Sequence, residues 1–324
     1  MMVVGLLGLA SLATALNFKN YDDVLKRANN RPVIGVLTLP ANHVDGYTDK
    51  SSYIAASYVK HLESAGLRVA PIFYNLDYPE IDSLLEKVNG VFFTGGTADL
   101  TYRDEANNLH WSTFMEKVHH IVKKSQEIND RGIYFPLWST CLGLEILHIA
   151  VAEECILEEY DGRNYTTNVF FTDHAPKSRL ISNADPRMIH YMRNLNVTYQ
   201  NHGFGIHPRS FQNNANLKDM FRVLALAMDK QGKMYVDMVE AIKYPFYSVM
   251  FHPEKPAFEW SLSSNFPHDI IAVEVGQYFA TFFATEARKN SNRFGSYEEW
   301  RKHSIYNYKM VYLHEPFEQA YFFE

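Results

Sequence analysis

Apolar runs that suit strands alternate with stretches of helical spacing along the first half of the chain. Residues 33–39 form an apolar run typical of a strand, and residues 53–65 have apolar positions at helical spacing up to a stop at Gly66. The alternation continues with predicted strands at 69–73, 91–94 and 133–138 and predicted helices at 81–88, 111–126 and 142–152. Because strands that alternate with helices are joined by right-handed crossovers, this half predicts a largely parallel sheet flanked by helices.

The second half of the chain has a different pattern. Short apolar runs at 222–227, 234–241 and 246–251 are separated by turn residues, which is typical of an antiparallel meander, and a helix is predicted over 270–287. The aromatic tail, 312–323, is too apolar to remain in solvent. We expect it to pack on the domain or on a partner subunit, which makes a homodimer possible. The predicted fold class is therefore α/β, with a mostly parallel central sheet and an antiparallel extension in the C-terminal half.

Composition fits an enzyme with one catalytic domain. The chain has 324 residues, of which 47% are hydrophobic and 21% charged, and its formal net charge is -6. Length alone allows two domains, but the candidate site residues described below are spread along much of the chain, so a boundary would split the site. Residues 31–324 are therefore predicted to form a single domain. The mild acidity and the lack of a recurring Lys/Arg cluster argue against a nucleic-acid partner.

The first fifteen residues predict entry into the secretory route. Residues 1–15 are an apolar run that ends in Ala13-Thr14-Ala15, as expected for a signal peptide with its cleavage site. No later segment reaches the ~20 apolar residues that a membrane span needs. Two glycosylation sequons, at Asn164 and Asn196, agree with this route.

A cysteine lies where a predicted strand meets a predicted helix. Cys141 follows Trp138-Ser139-Thr140 and precedes the helical run 142–152. At a sharp strand-to-helix turn its side chain would stand clear of its neighbours, and the first helix amides would favour the thiolate. Gly143 would let a substrate approach closely. The alternative for Cys141 is a small buried hydrophobe, which is what most free cysteines are.

Two further segments favour a nucleophile. His252 and Glu254 follow an apolar strand, and because residues two apart in extended chain point to the same side, Glu254 can orient the His252 ring. The alternative is a strand end with solvated polar residues. Gly95 and Gly96 follow another strand and can present backbone amides to an oxyanion, with the amide of Leu142 as second donor. An ordinary glycine pair at a strand end is the alternative for Gly95 and Gly96.

The order of glycine pair, cysteine turn and His-Pro-Glu resembles the class I glutamine amidotransferase superfamily. Within it, the chain is similar to the gamma-glutamyl hydrolase family from about Arg31 to the C-terminus, most clearly at 31–35, 53–60, 62–66, 140–145 and 252–255. The resemblance implies a flavodoxin-like fold, no metal or organic cofactor, and folate poly-gamma-glutamates as the small-molecule substrates. It also implies a lysosomal and secreted enzyme.

The resemblance assigns a role to each candidate residue. Cys141 would be the nucleophile, His252 the general base and then acid, and Glu254 its orienting partner. The oxyanion region would consist of Gly95, Gly96 and Leu142. Two further residues are implied at the substrate: Glu145, for which a first-turn acid favoured by the helix dipole is an equal alternative, and His202, for which a solvated loop histidine is the alternative.

Two positions bear on the choice within the superfamily. Ser139 stands where the superfamily usually has glycine, so the turn must fit an extra β-carbon. Glu145 stands where glutamine-hydrolysing amidotransferases usually carry glutamine, which favours gamma-glutamyl hydrolysis. The alternatives are a glutaminase subunit that passes ammonia to a synthase and a secreted glycoprotein that binds without turnover. The two cysteines, Cys141 and Cys155, should lie at opposite ends of one helix and therefore remain free.

Overall fold

Four sheets contain all the strands of this computed structural model, which describes residues 29–313, 315 and 317–324. The predicted signal peptide, 1–15, lies outside the described residues. The strands are β1 Val33–Leu37, β2 Leu39–Pro40, β3 Ser52–Ala55, β4 Arg68–Ile72, β5 Val91–Phe93, β6 Thr101–Arg103, β7 Leu109–Trp111, β8 Leu137–Thr140, β9 Leu157–Thr167, β10 Phe170–Phe171, β11 Thr198–Ile206, β12 Phe221–Met228, β13 Met234–Ala241, β14 Phe246–Val249, β15 Met310–Tyr312 and β16 Gln319–Phe323.

The largest sheet has eight strands in the order β10-β12-β13-β14-β8-β5-β1-β4. Pairing is parallel from β14 through β8, β5 and β1 to β4, and antiparallel from β10 to β14. The predicted α/β class is thereby confirmed, including the antiparallel extension. Because five neighbouring strands run the same way, the residues that follow β5, β8 and β14 meet at one edge of the sheet.

Helices cover this sheet. They are α1 Ala56–Ser64, α2 Tyr78–Leu85, α3 Thr113–Asp130, α4 Leu142–Ala152, α5 Pro186–Asn194, α6 Pro208–Asn213, α7 Ala215–Met220, α8 Lys255–Phe258, α9 Ile270–Ala287 and α10 Tyr297–His303. Side-chain caps explain several helix starts: Asp77 accepts from the Glu80 amide in a capping box, and Ser112 and Asp269 accept from the third residue beyond them. Helix α9 packs on the sheet through Phe279 and Phe283, whose rings lie 5.9 Å from that of Trp138.

The predicted helix over 53–65 is wrong in its first turn. Residues Ser52–Ala55 form β3, which pairs with β16 on one side and β2 on the other. Apolar spacing suited a helix, but pairing with a segment more than 260 residues away decides the conformation, as tertiary context often does. Helix α1 then begins at Ala56.

Other boundaries shift by a few residues, and one pair of strands is absent from the prediction. The strand before Cys141 starts at Leu137 rather than 133, and the strand before His252 ends at Val249 rather than 251. The long antiparallel pair β9–β11 was not predicted, because its polar residues lack the alternation that marks a half-buried strand.

The aromatic tail packs on its own chain. Strand β16 pairs with β3, and the Phe322 ring stacks on Tyr47 with centroids 3.9 Å apart. Both cysteines are free, Cys141 buried and Cys155 exposed, as expected from their separation by α4. Among the helices that the structure describes, none combines the length and the apolar character needed to cross a membrane.

Candidate active site

Cys141 forms the sharp turn that the sequence predicts. It separates β8 from α4, with φ 54° and ψ -114°. A positive φ is strained for a residue with a β-carbon and persists only where the surroundings hold it. Here the Cys141 amide donates to the Val249 carbonyl at 2.9 Å, which ties the turn to the end of β14.

Two small neighbours accommodate this turn. Ser139 faces Ser248 on the parallel strand β14, and the two hydroxyls are hydrogen bonded. The serine side chain at this position therefore links β8 to β14. A β-carbon on Gly143 would lie 2.4 Å from the Phe93 carbonyl oxygen. Gly143 therefore lets α4 approach β5, a packing role in place of the predicted access for substrate.

His252 and Glu254 form the predicted pair, by a different backbone path. The His252 Nδ1 and Glu254 Oε1 atoms lie 2.7 Å apart, and both side chains are buried. Because β14 has already ended at Val249, a turn and not extended chain brings them together. With the Nδ1 proton donated to Glu254, the buried Nε2 is left as the proton acceptor.

Gly95 lies between the cysteine and the histidine. A β-carbon built on Gly95 would lie 2.9 Å from His252 Cε1 and 3.0 Å from Cys141 Cβ. Both side chains thus touch the same glycine at the carboxyl edge of the sheet. The structure brings together the three residues predicted as nucleophile, base and orienting acid.

The amide of Gly95 already has a partner. It donates to the Tyr58 hydroxyl oxygen at 2.9 Å, so it does not present a free proton to an oxyanion in this geometry. Gly96 has φ 146°, and its missing side chain makes room for Leu39 and the Tyr53 hydroxyl. The Leu142 amide lies near the Cys141 sulfur and acts to lower the pKa of that thiol. Of the amides predicted for the oxyanion region, that of Leu142 thus lies beside the reacting sulfur, whereas that of Gly95 is engaged by Tyr58.

Tyr58 is a site residue that the sequence did not reveal. It is fully buried on α1, and its hydroxyl lies 3.2 Å from His252 Nδ1. That nitrogen donates to Glu254 and the Gly95 amide donates to the hydroxyl, so the Tyr58 oxygen accepts from the glycine loop beside the His-Glu pair. Tyr58 joins the glycine loop to the His-Glu pair. No sequence signal marks a contact across 194 positions.

The resting nucleophile is a neutral thiol. Burial raises the pKa of Cys141, and the charge of Glu145 raises it further, while the Leu142 amide acts in the opposite direction. The expected effect of the helix amides is present, because the Leu142 amide lowers the pKa of Cys141, but burial outweighs it in the resting site. Burial also lowers the pKa of His252, with Glu254 opposing, so its imidazole is neutral and can accept the thiol proton.

Glu145 and His202 are both buried near this centre. Burial raises the pKa of Glu145 to about 8 and lowers that of His202 to about 4. His202 lies inside β11, not in a loop, and Gly162 opposite it leaves room for its ring. Its Nδ1 donates to the Phe204 carbonyl at 2.7 Å, which leaves Nε2 as a buried acceptor without a partner among the described residues.

Lys255 is a buried cation beside the triad that the sequence could not place. It is 2% exposed, and its Nζ lies 5.4 Å from the Phe266 ring centroid and 5.2 Å from that of Phe317. His252, and then the charge of Lys255, lower the pKa of Glu254, and Lys255 also opposes the raised pKa of Cys141. A basic group at this position suits a substrate that carries carboxylates.

The two predicted glycosylation residues differ in setting. Asn196 is exposed in the loop before β11. The side chain of Asn164 is engaged: it donates to the Ser263 carbonyl at 3.0 Å and accepts from the Asn265 amide at 2.7 Å. Across residues 29–313, 315 and 317–324, no group of three His, Cys, Asp or Glu side chains is arranged to hold a metal ion.

Comparison with known proteins identifies the family. The Peptidase C26 family model matches residues 32–254, a span that includes all three triad residues. The chain belongs to the peptidase C26 family. Cys141 and His252 lie within the matched C26 span, and the chain is a cysteine-dependent hydrolase, as predicted.

Relatives of this C26 peptidase match over nearly the whole chain. Gamma-glutamyl hydrolase B of Dictyostelium discoideum is 35% identical over 93% of this chain and 85% of its own length. Gamma-glutamyl hydrolase of Homo sapiens is 34% identical over 99% of this chain and 97% of its own. The glutaminase domain of Trypanosoma brucei CTPS, solved with bound acivicin, is similar in fold, with a TM-score of 0.52 at 14% identity over 80% of this chain and 95% of that chain. The predicted family is confirmed.

Proposed function

We propose that this C26 peptidase hydrolyses gamma-glutamyl amide bonds through a cysteinyl acyl-enzyme, with folate poly-gamma-glutamates as its substrates. The observation that carries the proposal is the meeting of Cys141 and the hydrogen-bonded pair His252–Glu254 around Gly95. The curated relatives are named for the same bond. The products are glutamate or gamma-glutamyl peptides.

The first half-reaction forms the acyl-enzyme. His252 Nε2 takes the thiol proton as the Cys141 sulfur attacks the gamma carbonyl, and Glu254 stabilises the imidazolium that results. The carbonyl oxygen gains negative charge, which the amides of Gly96 and Leu142 can meet. His252 then gives its proton to the departing amine as the C–N bond breaks, leaving a thioester.

Water completes the cycle. His252, neutral again, removes a proton from a water molecule that attacks the thioester carbonyl. The second tetrahedral intermediate collapses with return of the proton to the Cys141 sulfur, which releases the gamma-carboxylate product. The thiol proton leaves with the amine in the first half-reaction and is replaced from water in the second, so the full cycle returns the site to a neutral thiol and a neutral imidazole.

Substrate recognition draws on the buried polar residues next to the triad. Lys255 supplies a positive charge for an alpha-carboxylate. His202 Nε2 offers an acceptor for a substrate N–H. With a pKa of about 8, Glu145 is protonated in an acidic compartment and can donate a hydrogen bond there.

The direct test is incubation of the purified protein with folyl-poly-gamma-glutamate and, separately, with free glutamine, with products identified by mass. Glutamate or gamma-linked peptides from the first substrate, and no ammonia from the second, are expected. Ammonia from glutamine would instead select a glutaminase subunit. The Cys141→Ala protein is the control for contaminating peptidases, and inactivity on both substrates would select the non-catalytic binding glycoprotein.

The cellular setting is part of the proposal. An apolar leader at 1–15 and the sequons at Asn164 and Asn196 support a glycoprotein that is secreted and delivered to the lysosome. Expression of the full chain in a secreting cell, with enzymatic glycan removal, should lower the apparent mass and yield a mature N-terminus after Ala15. We expect Asn196→Gln to remove a glycan, and an unchanged mass would contradict it. Light scattering on the purified protein distinguishes the proposed homodimer from a monomer.

A further inference from the structure

Two adjoining surface cavities lie at the edge of the sheet opposite the candidate active site. Arg31 precedes β1, Arg68 opens β4 and Asn89 comes just before β5, so these residues surround the entering ends of parallel strands. The triad residues follow the exit ends of β8 and β14. The cavities measure about 540 and 430 Å³ and share Arg31, Arg68, Tyr297 and Trp300.

Positive charge accumulates around these cavities. Arg293 lines the first and Arg301 the second, in addition to the shared Arg31 and Arg68. Neither lining contains an aspartate or glutamate among the described residues. Glu299, on the same helix as Arg301, is engaged elsewhere, because its Oε1 pairs with Lys87 at 2.7 Å and its Oε2 accepts from the Gly295 amide.

Arg68 is held in place by groups that leave its charge unneutralised. Its guanidinium lies over the Trp300 ring at 4.5 Å and donates to the Arg31 carbonyl. The Arg68 Nε is buried and has no hydrogen-bond partner in the described part of the chain. Burial, and then the charge of Arg31, lower the pKa of Arg68, as expected where two cations share a depression that lacks an anion.

We propose that the two cavities form one binding site for an elongated anion with at least two acidic groups, remote from Cys141. Arginine forks bind carboxylate and phosphate oxygens through two parallel hydrogen bonds, and four arginines along two joined cavities suit several such groups in a row. The side chain of Tyr297, which both cavities share, is 62% exposed, and its hydroxyl adds a further donor. The inference goes beyond the proposed hydrolysis and does not depend on it.

Calorimetric titration tests the site with two probes, sodium tripolyphosphate and tri-gamma-glutamate. The full-length Cys141→Ala protein is used for both, so that no probe is consumed. Arg31→Gln and Arg301→Gln, each added to that protein, are the test variants, because both arginines are exposed and their loss should not disturb folding. Arg209→Gln, an exposed arginine on α6 outside both cavities, is the matched control.

We expect saturable binding that weakens with salt, about tenfold lower affinity in Arg31→Gln and in Arg301→Gln, and no change in Arg209→Gln. A loss confined to tripolyphosphate identifies a phosphate site, and a loss confined to tri-gamma-glutamate identifies a carboxylate site. The proposal is overturned if neither probe binds, if affinity is unchanged in Arg31→Gln and Arg301→Gln, as binding in the catalytic site alone would give, or if affinity falls equally in Arg209→Gln. Peptidase activity of the same arginine variants, made with Cys141 intact, should equal that of the unmodified protein, which separates this site from the catalytic one.

Discussion

At the residue scale, the chemical types at the site could be predicted from the sequence, but their protonation states could not. The cysteine turn, the His-Pro-Glu segment and the glycine pair each have a local pattern. Burial of the Cys141 sulfur has none, because it results from distant chain, including the Asn201 carbonyl 3.9 Å away. The roles of Tyr58 and Lys255 could not be predicted for the same reason, because their contacts exist only in the folded molecule.

Replacing the nucleophile should separate chemistry from folding. Cys141→Ala should abolish turnover while thermal unfolding changes little, because the side chain is small and the strained turn remains. Cys155→Ala, at the exposed far end of α4, should retain most activity. Steady-state assays and calorimetric melting of both variants check this. Substantial turnover by Cys141→Ala, or inactivation by Cys155→Ala, would contradict the assignment.

The charge at residue 145 should control the acidity of the nucleophile. Ionised Glu145 raises the pKa of Cys141, so Glu145→Gln should lower the thiol pKa and move the alkylation profile to lower pH. The rate of iodoacetamide alkylation against pH measures it. Glu158→Gln, a partly exposed carboxylate on β9 away from the site, is the control and should leave the profile unmoved. An unshifted profile in Glu145→Gln would mean that the carboxyl is not coupled to the sulfur.

At the scale of elements, the bounds of two strongly apolar helices follow from the sequence to the residue, and those of the irregular strands do not. The predicted bounds of α4 and α9 match the structure. Strand β3 was misread as helix because its apolar residues face partners near the end of the chain. The pair β9–β11, which carries His202, has register shifts and polar residues that no alternation rule detects.

One glycine should prove essential to the packing of α4 on β5. In Gly143→Ala the new β-carbon would lie 2.4 Å from the Phe93 carbonyl oxygen, so helix or strand must move. We expect a loss of about 1–3 kcal/mol in the free energy of unfolding, together with reduced turnover. Urea unfolding measures the first. In the control Gly203→Ala the nearest atom is the flexible end of Arg163, and a change within about 0.5 kcal/mol is expected. Equal effects would refute the packing role.

At the scale of the whole molecule, the alternation of elements was enough to predict the sheet and the edge that carries the site. It could not predict how the ends of the chain close on each other. The tail pairs through β16 with β3, and α1, which follows β3, carries Tyr58 to the His252–Glu254 pair. Long-range pairing of this kind depends on complementary surfaces that a linear pattern does not encode.

Stability should depend on pH through a buried acid in the core of the sheet. Burial raises the pKa of Asp237 from 3.8 to about 7. The folded state therefore holds this proton more tightly than the unfolded state. At a pH below both pKa values the carboxyl is neutral in both states and costs no stability. As pH rises from about 4 to about 7 the folded protein loses stability. Asp237→Asn removes the charge, so its free energy of unfolding should exceed that of the unmodified protein by up to about 4 kcal/mol above that range and match it below.

Urea unfolding across this pH range checks the sign. Asp229→Asn is the matched control, because Asp229 accepts hydrogen bonds from the Asp161, Gln231 and Lys233 amides and its pKa is lowered. That variant should become less stable than the unmodified protein as pH rises through the titration range of Asp229, the opposite trend. A constant difference for Asp237→Asn at all pH values would exclude a buried carboxyl with a raised pKa.

The cooperation of His252 and Glu254 is tested most directly by a double-mutant cycle in single turnover. His252 moves a proton in both half-reactions, so His252→Ala should lower the rate by about a thousandfold or more. Glu254 acts through the ring that it holds at 2.7 Å, so Glu254→Ala should cost roughly tenfold to a thousandfold.

The decisive value is the rate of the double variant on a gamma-glutamyl substrate. If Glu254 works by orienting His252, the double variant should be little slower than His252→Ala alone, because no ring remains to be oriented. Fully additive losses would show that Glu254 acts on substrate or structure independently of His252, and would contradict the catalytic triad.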